Sequence, residues 1–145
     1  MKNVFIIADD TTGANSSAIL HKKLGYDCVS IHTKALEIRK QSVYAFSTNS
    51  RGLEAVDAYQ KVQNVLENLS HTDAIFNKRI DSTLRGNLGS ELDSFLDYYP
   101  HKKAIVVASF PDSGRTCEHN VLYVNGIQLE QTDVAKDPKM PVTSS

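Results

Sequence analysis

Four short, nearly continuous apolar runs constrain what this chain can fold into: VFIIA at 4–8, VYAF at 43–46, AIF at 74–76 and AIVVA at 104–108. Runs of this length without polar alternation are how strands buried on both faces read. Between them Leu53, Val56, Tyr59, Val62, Val65, Leu66 and Leu69 recur at three- and four-residue steps, as do Leu88, Leu92, Phe95 and Leu96. Each set forms one apolar stripe along a helix. A further helix is expected from about Thr12 to about Leu24, where Gly25 can supply a left-handed cap before a Cys28–His32 strand. Strands alternating with helices imply right-handed crossovers. The expected fold is therefore α/β: an open, doubly wound, mostly parallel sheet with helices on both faces, Rossmann-like in outline. After Arg115 the pattern weakens: Val121–Val124 reads as a small strand turned by Asn125-Gly126, and "DPKMPVTSS" reads as linker. Residues 1–132 are thus expected to form the domain and 133–145 a linker-like tail.

With 145 residues, the chain is long enough for one domain with a sizeable core. A formal charge of -1 supplies no basic field for a nucleic-acid backbone, so no nucleic-acid partner is expected. No segment approaches the ~20 apolar residues that span a bilayer, and no signal-peptide run opens the chain. No membrane partner is expected either, and a cytoplasmic protein is. Cys28 and Cys117 are far apart and lack a CxxC spacing, which reads as two reduced structural thiols.

In open parallel sheets ligands sit beyond the carboxyl ends of the strands. Four conspicuous loops fall there: "DDTTG" at 9–13, "STNSRG" at 47–52, "NKRIDSTLRGN" at 77–87 and "SFPDSGRT" at 109–116. Arginine pairs bidentately with carboxylate or phosphate, whereas Asp, Ser, Thr and Asn suit hydroxyls. Arg51, Arg85 and Arg115 beside Asp9, Asp10 and Asp81 therefore suit a small polyhydroxylated acid. The competing reading is that each arginine pairs with a nearby aspartate or caps a helix end. Gly13 and Gly86 fall near helix starts, where free backbone N–H groups favour an anion, although Thr11, Thr12 or Asn87 can simply cap those helices. Neither a GKS/T loop nor a GxGxxG opening a helix occurs. His21, His32, His71 and His101 lie away from the rim. His119 with Cys117 and Glu118 lacks the second half of a zinc spacing, so no metal site is expected.

"IADDTTGA", "KRIDSTLRGNLGSEL" and "FPDSGRT", followed by "LYVNGIQL" and "DPKMPV", resemble the N-terminal region of the four-carbon acid sugar kinases. That family includes kinases for threonate, erythronate and 3-oxo-tetronate. The resemblance covers nearly the whole chain, and its most specific piece is the DSTLRGN block. It implies ATP-dependent phosphorylation of a four-carbon sugar acid, with Mg²⁺ accompanying the nucleotide. It places the acid in this domain and the nucleotide in a separate or downstream domain. By position it assigns Asp10 and the loop through Thr12 to Gly13 to the first substrate loop, beside the binding candidate Asp9. Asp81, Ser82, Thr83 and Arg85 fall in the central loop, and Gly114 and Arg115 in the third. Arg51 falls where the family closes an acidic D-T-(D/E)-S-R stretch, but here Ser47 and Asn49 replace the acids.

Family members are much longer, so the chain is expected to be a truncated domain, inactive alone. Arg85 and Arg115 would clamp the substrate carboxylate, and Asp10 or Asp81 would orient the attacking hydroxyl. Two alternatives stand beside this reading. A non-catalytic sugar-acid-binding module would retain the same rim. A response-regulator receiver would share the Asp9-Asp10 pair, but Ser47 and Phe110 stand where it needs a phosphorylatable Asp and a Lys.

Overall fold

Successive side chains of a strand point to opposite faces, and this divides the core into two layers. The computed structural model describes residues 2–31, 38–39, 41–69 and 74–142. His32, His71 and the last three residues of the expected tail lie outside the described residues. In chain order the main elements are β1 (Asn3–Ala8), α1 (Thr11–Lys23), β2 (Asp27–Ile31), β3 (Ser42–Ser47), α2 (Ala55–Glu67), β4 (Ala74–Arg79) and α3 (Leu88–Tyr98). A smaller set follows: β5 (Arg115–Glu118), β6 (Val121–Val124) and β7 (Ile127–Gln128), with 3-10 turns at Pro111–Ser113, Leu129–Gln131 and Asp133–Lys136.

The first four strands form one parallel sheet in the order β2-β3-β1-β4. Phe5 and Ile7 of β1, with Tyr44 and Phe46 of β3, meet Val62, Leu66, Leu69 and Phe95 on one face. Ile6, Ala8, Val43 and Ala45 meet Ala14 and Ala18 of α1 on the other. Helices therefore cover both faces, and the central strand is sealed from water, as the uninterrupted VFIIA run requires. Burying each large side chain contributes roughly 1.5–3 kcal/mol. This is the open α/β architecture expected from the alternation.

Three details differ from the sequence reading. AIVVA at 104–108 belongs to no strand. Ile105, Val106 and Val107 are exposed, Ile105 at 91%. An apolar run becomes a strand only when a neighbour takes its hydrogen bonds and a layer covers its side chains. Among the described residues no strand pairs with the outer edge of β4. That edge position also explains why β4 is not buried throughout, Ile75 being exposed while Ala74 is buried. In α2 the buried stripe runs through Ala58, Val62 and Leu66, whereas Val56 faces solvent.

The small antiparallel sheet, ordered β5-β6-β7, was visible in the sequence only as its middle strand and turn. Asn125 and Gly126 both adopt positive φ, 52° and 79°, as a tight hairpin between β6 and β7 requires. The segment from 133, expected as linker, packs back onto this sheet. Ala135 is buried, Val142 donates its N–H to the Ala135 carbonyl at 2.9 Å, and Val134 and Val142 cover Leu122, Val124 and Leu129. Of the two thiols, Cys28 is half-buried against the Ala18 carbonyl, and burial raises its pKa. Cys117 is exposed.

Candidate functional site

The chain leaves β1 towards an outer strand, returns through β3, and then crosses to the other side of β1 as β4. Such a reversal opens a crevice at the carboxyl ends of β1, β3 and β4. Three of the four expected loops meet there. The loop after β3 stays stitched to the end of β1: Thr48 donates its N–H and its hydroxyl to the Ala8 carbonyl, both at 2.9 Å, and Ser50 N–H reaches the Asp9 carbonyl at 3.0 Å. Asp10 ends the turn as the N-cap of α1, accepting the Gly13 N–H at 2.5 Å. A Cβ on Gly13 would stand 2.9 Å from that same Asp10 oxygen, so a larger residue there would push the capping carboxylate aside.

Arg51 stands at the centre. Its Nε and one terminal nitrogen grip Asp9 at 2.7 and 3.2 Å, and the same terminal nitrogen lies 2.8 Å from Asp10 and 3.6 Å from Asp81. Its hydrogen bond to Asp9 raises its pKa against the opposing effect of burial. Arg85 holds Asp81 by the same fork, at 2.8 and 3.2 Å, and extends its remaining terminal nitrogen to Asp137 at 2.8 Å. Thr83 adds its hydroxyl to Asp81 at 2.6 Å. Gly86, with φ of +100°, passes the backbone close to the Asp9–Arg51 pair, a conformation that favours glycine.

Burial alone would raise the pKa of Asp81. The hydrogen bonds from Arg85 and Thr83 and the charges of Arg85 and Arg51 outweigh it and hold the carboxyl well below the usual carboxylate range. The unfolded chain, with its aspartate near the ordinary value of 3.8, therefore takes up this proton first as pH falls. Stability from Asp81 is full above that value and is lost progressively below it. Urea unfolding followed from about pH 6 down to about pH 2.5 should show this decline. An Asp81→Asn variant should show a shallower one; an identical slope would contradict the assignment.

The expected site residues are thus distributed unevenly. Asp9, Asp10, Gly13, Arg51, Asp81, Thr83 and Arg85 converge. Ser82 is half-buried in the same loop, and Thr12 is exposed on the first turn of α1. Gly114 and Arg115 belong to the small sheet. Gly114 takes a left-handed φ of 72° after the Pro111–Ser113 turn, and its carbonyl accepts the Asn125 N–H at 2.7 Å. Arg115 donates to the Ser113 carbonyl at 2.5 Å, its Nε is buried without a partner, and it shares no hydrogen bond or ion pair with the other rim residues.

Beneath the rim lies a group that the sequence reading missed. Lys78 Nζ pairs with Glu91 at 2.5 Å, and both side chains are almost fully buried, at 9% and 2% exposure. The other Glu91 oxygen accepts from the Ser50 hydroxyl, which in turn meets Thr48 Oγ1 at 2.6 Å. Asn87, expected only as a cap, donates to the Ser50 and Leu53 carbonyls at 3.1 and 2.8 Å. This network fixes the loop that presents Arg51. The available signal was a charge, Glu91, lying between Leu88 and Phe95 on the buried stripe of α3. Above the network a narrow cleft of about 10 Å³ is lined by Asp9, Lys78, Asp81, Arg85, Asn87 and Glu91, among others.

The fold is an open α/β domain whose loops gather a polar rim at the switch point of a parallel sheet. The comparisons make that class more specific: the family model described as "Sugar-binding N-terminal domain" matches residues 4–145, and the chain belongs to that family. Over 98% of its length it is 45% identical to a D-erythronate kinase of Heliobacterium modesticaldum and 34% identical to a D-threonate kinase of Salmonella typhimurium. In each case the match covers 34% of the relative, so the chain spans about a third of the length of these curated relatives. A crystal structure from Bordetella bronchiseptica, a domain of unknown function with bound citrate in a domain-swapped dimer, superposes with a TM-score of 0.90 at 32% identity. It covers 99% of this chain and 39% of that one. The relatives support the kinase family inferred from the DSTLRGN and ADDTTGA blocks.

Proposed function

We propose that this chain is the sugar-acid-binding part of an ATP-dependent kinase that phosphorylates a four-carbon sugar acid such as erythronate or threonate. The observation that carries the reading is the convergence of Arg51 and Arg85 with Asp9, Asp10 and Asp81 at the switch-point crevice. Arg85, with Arg51 behind it, binds the carboxylate of the acid. These two arginines share Asp81, whereas Arg115 belongs to the small sheet, which favours this pair over an Arg85–Arg115 clamp. Asp10 accepts a ligand hydroxyl. It is the more open of the two candidates, with a side chain 27% exposed against 9% for Asp81, and Asp81 already accepts from Arg85 and Thr83. In phosphoryl transfer such a carboxylate orients the attacking hydroxyl.

ATP and Mg²⁺ enter this reading through the kinase relatives and not through a motif of this chain. No glycine-rich phosphate loop of the Walker or dinucleotide type occurs in the sequence. The rim carboxylates are held by arginines, and among the described residues no group of three or more His, Cys, Asp or Glu is arranged to hold a metal ion. In this reading the nucleotide site lies in a separate or downstream domain, and this chain supplies binding and orientation of the acid. No helix among the described residues is long and apolar enough to cross a bilayer.

Calorimetric titration of D-erythronate and D-threonate into the chain and its Arg85→Ala variant tests the reading. Saturable binding of one acid, weakened at least tenfold by the substitution, is the expected result. Equal binding by both proteins would reject the arginine as the carboxylate site.

A further inference from the structure

The segment that the sequence presents as linker places one carboxylate on the ligand rim. Asp137 is fixed from behind, its Oδ1 accepting the Lys139 and Met140 N–H groups at 2.9 and 3.0 Å. Its Oδ2 meets the Arg85 terminal nitrogen at 2.8 Å. Arg85 has committed its Nε and other terminal nitrogen to Asp81, so the outer edge facing Asp137 is the one left for an incoming anion. Around the two guanidiniums stand four carboxylates, Asp9, Asp10, Asp81 and Asp137. Asp9, Asp10 and Asp81 lie at the strand ends; Asp137 is the one contributed by the tail.

We propose that Asp137 is an internal stand-in for the ligand carboxylate: it occupies the free edge of Arg85, and a bound sugar acid takes that edge over. The inference rests on the reading of Arg85 as the carboxylate site. It makes Asp137 a determinant of acid affinity, setting a threshold that weakly binding monoanions fail to cross. The contact also joins the small sheet to the crevice, because residues 133–142 pack on Leu122, Val124 and Leu129. Displacing Asp137 therefore releases the only ion pair that ties this segment to the central loop among the described residues.

The test uses the Asp137→Asn chain, which keeps a side-chain oxygen for the Lys139 and Met140 amides while removing the charge. Its control is Asp133→Asn, which removes a charge from the same segment at a carboxylate paired only with Lys136. Calorimetric titration with D-erythronate should show Asp137→Asn binding about two- to fivefold more tightly than the wild type, the range of a partly exposed charge pair, and Asp133→Asn unchanged. Unchanged or weaker binding by Asp137→Asn would overturn the proposal and make the residue a tether that orients Arg85. An equal gain in both variants would overturn it in favour of a general charge effect. If wild-type chain binds and only the gain is missing, the stand-in role fails alone. If neither wild type nor Asp137→Asn binds, the reading of the site fails and the proposal falls with it.

Discussion

Replacing Lys78 by methionine is expected to destabilise the chain by about 3–5 kcal/mol, the typical cost of leaving one member of a buried ion pair alone. The Glu91 carboxyl group would then be left in the interior with only the Ser50 hydroxyl beside it. Methionine preserves the length and much of the volume of lysine, so the loss reports on charge and not on packing. Urea unfolding at neutral pH measures it, and a loss under about 1 kcal/mol would show that the pair is not desolvated as its exposure implies. The double variant Lys78→Met, Glu91→Leu should recover most of the stability, because an apolar pair of similar volume often replaces a buried salt bridge without net cost. It should not recover acid binding. The Ser50 hydroxyl would lose its carboxylate partner on α3, and the loop carrying Arg51 would lose one of the contacts that position it. Stability and binding thus separate, which a purely structural role for the pair would not produce.

The second large effect is expected at Arg51. In an Arg51→Ala chain Asp9, Asp10 and Asp81 would lose the cation they share. Removing the cation from a hydrogen-bonded, partly buried charge cluster costs roughly 2–5 kcal/mol in binding, much of it from the carboxylates left unpaired. Affinity for D-erythronate should therefore fall by a factor of about 30 or more. Arg51→Lys should recover little, since an ammonium cannot span both Asp9 oxygens while also meeting Asp10. Full binding by either variant would mean that the acid does not use this crevice.

The two arginines also bear on the competing readings of the sequence. Pairing with a nearby aspartate and service on a ligand rim were alternatives on paper. In the structure Arg51 and Arg85 are each paired with aspartates, and those aspartates are themselves rim residues. Pairing is how the rim is assembled: the guanidiniums neutralise carboxylates that would otherwise repel one another at the strand ends.

Much of the fold and part of the site follow from local pattern. The uninterrupted VFIIA run determined a strand sealed on both faces, the three- and four-residue steps determined helices to seal it, and Asp10 followed by Thr11, Thr12 and Gly13 determined a capped helix start. Each depends on neighbours in sequence, through side-chain period and capping chemistry. The same locality let the DSTLRGN block mark the central loop. What tertiary structure alone decided depends on contacts between distant residues. AIVVA has the composition of a buried strand, yet without a partner on the edge of β4 it remains exposed. Glu91 sits on an apolar stripe, yet Lys78 and Ser50, 13 and 41 positions away in sequence, allow its burial. Asp137 lies in a linker-like sequence and reaches Arg85 across 52 positions. No local pattern encodes these pairings, because a buried charge is tolerated only where folding brings its partner within hydrogen-bonding distance.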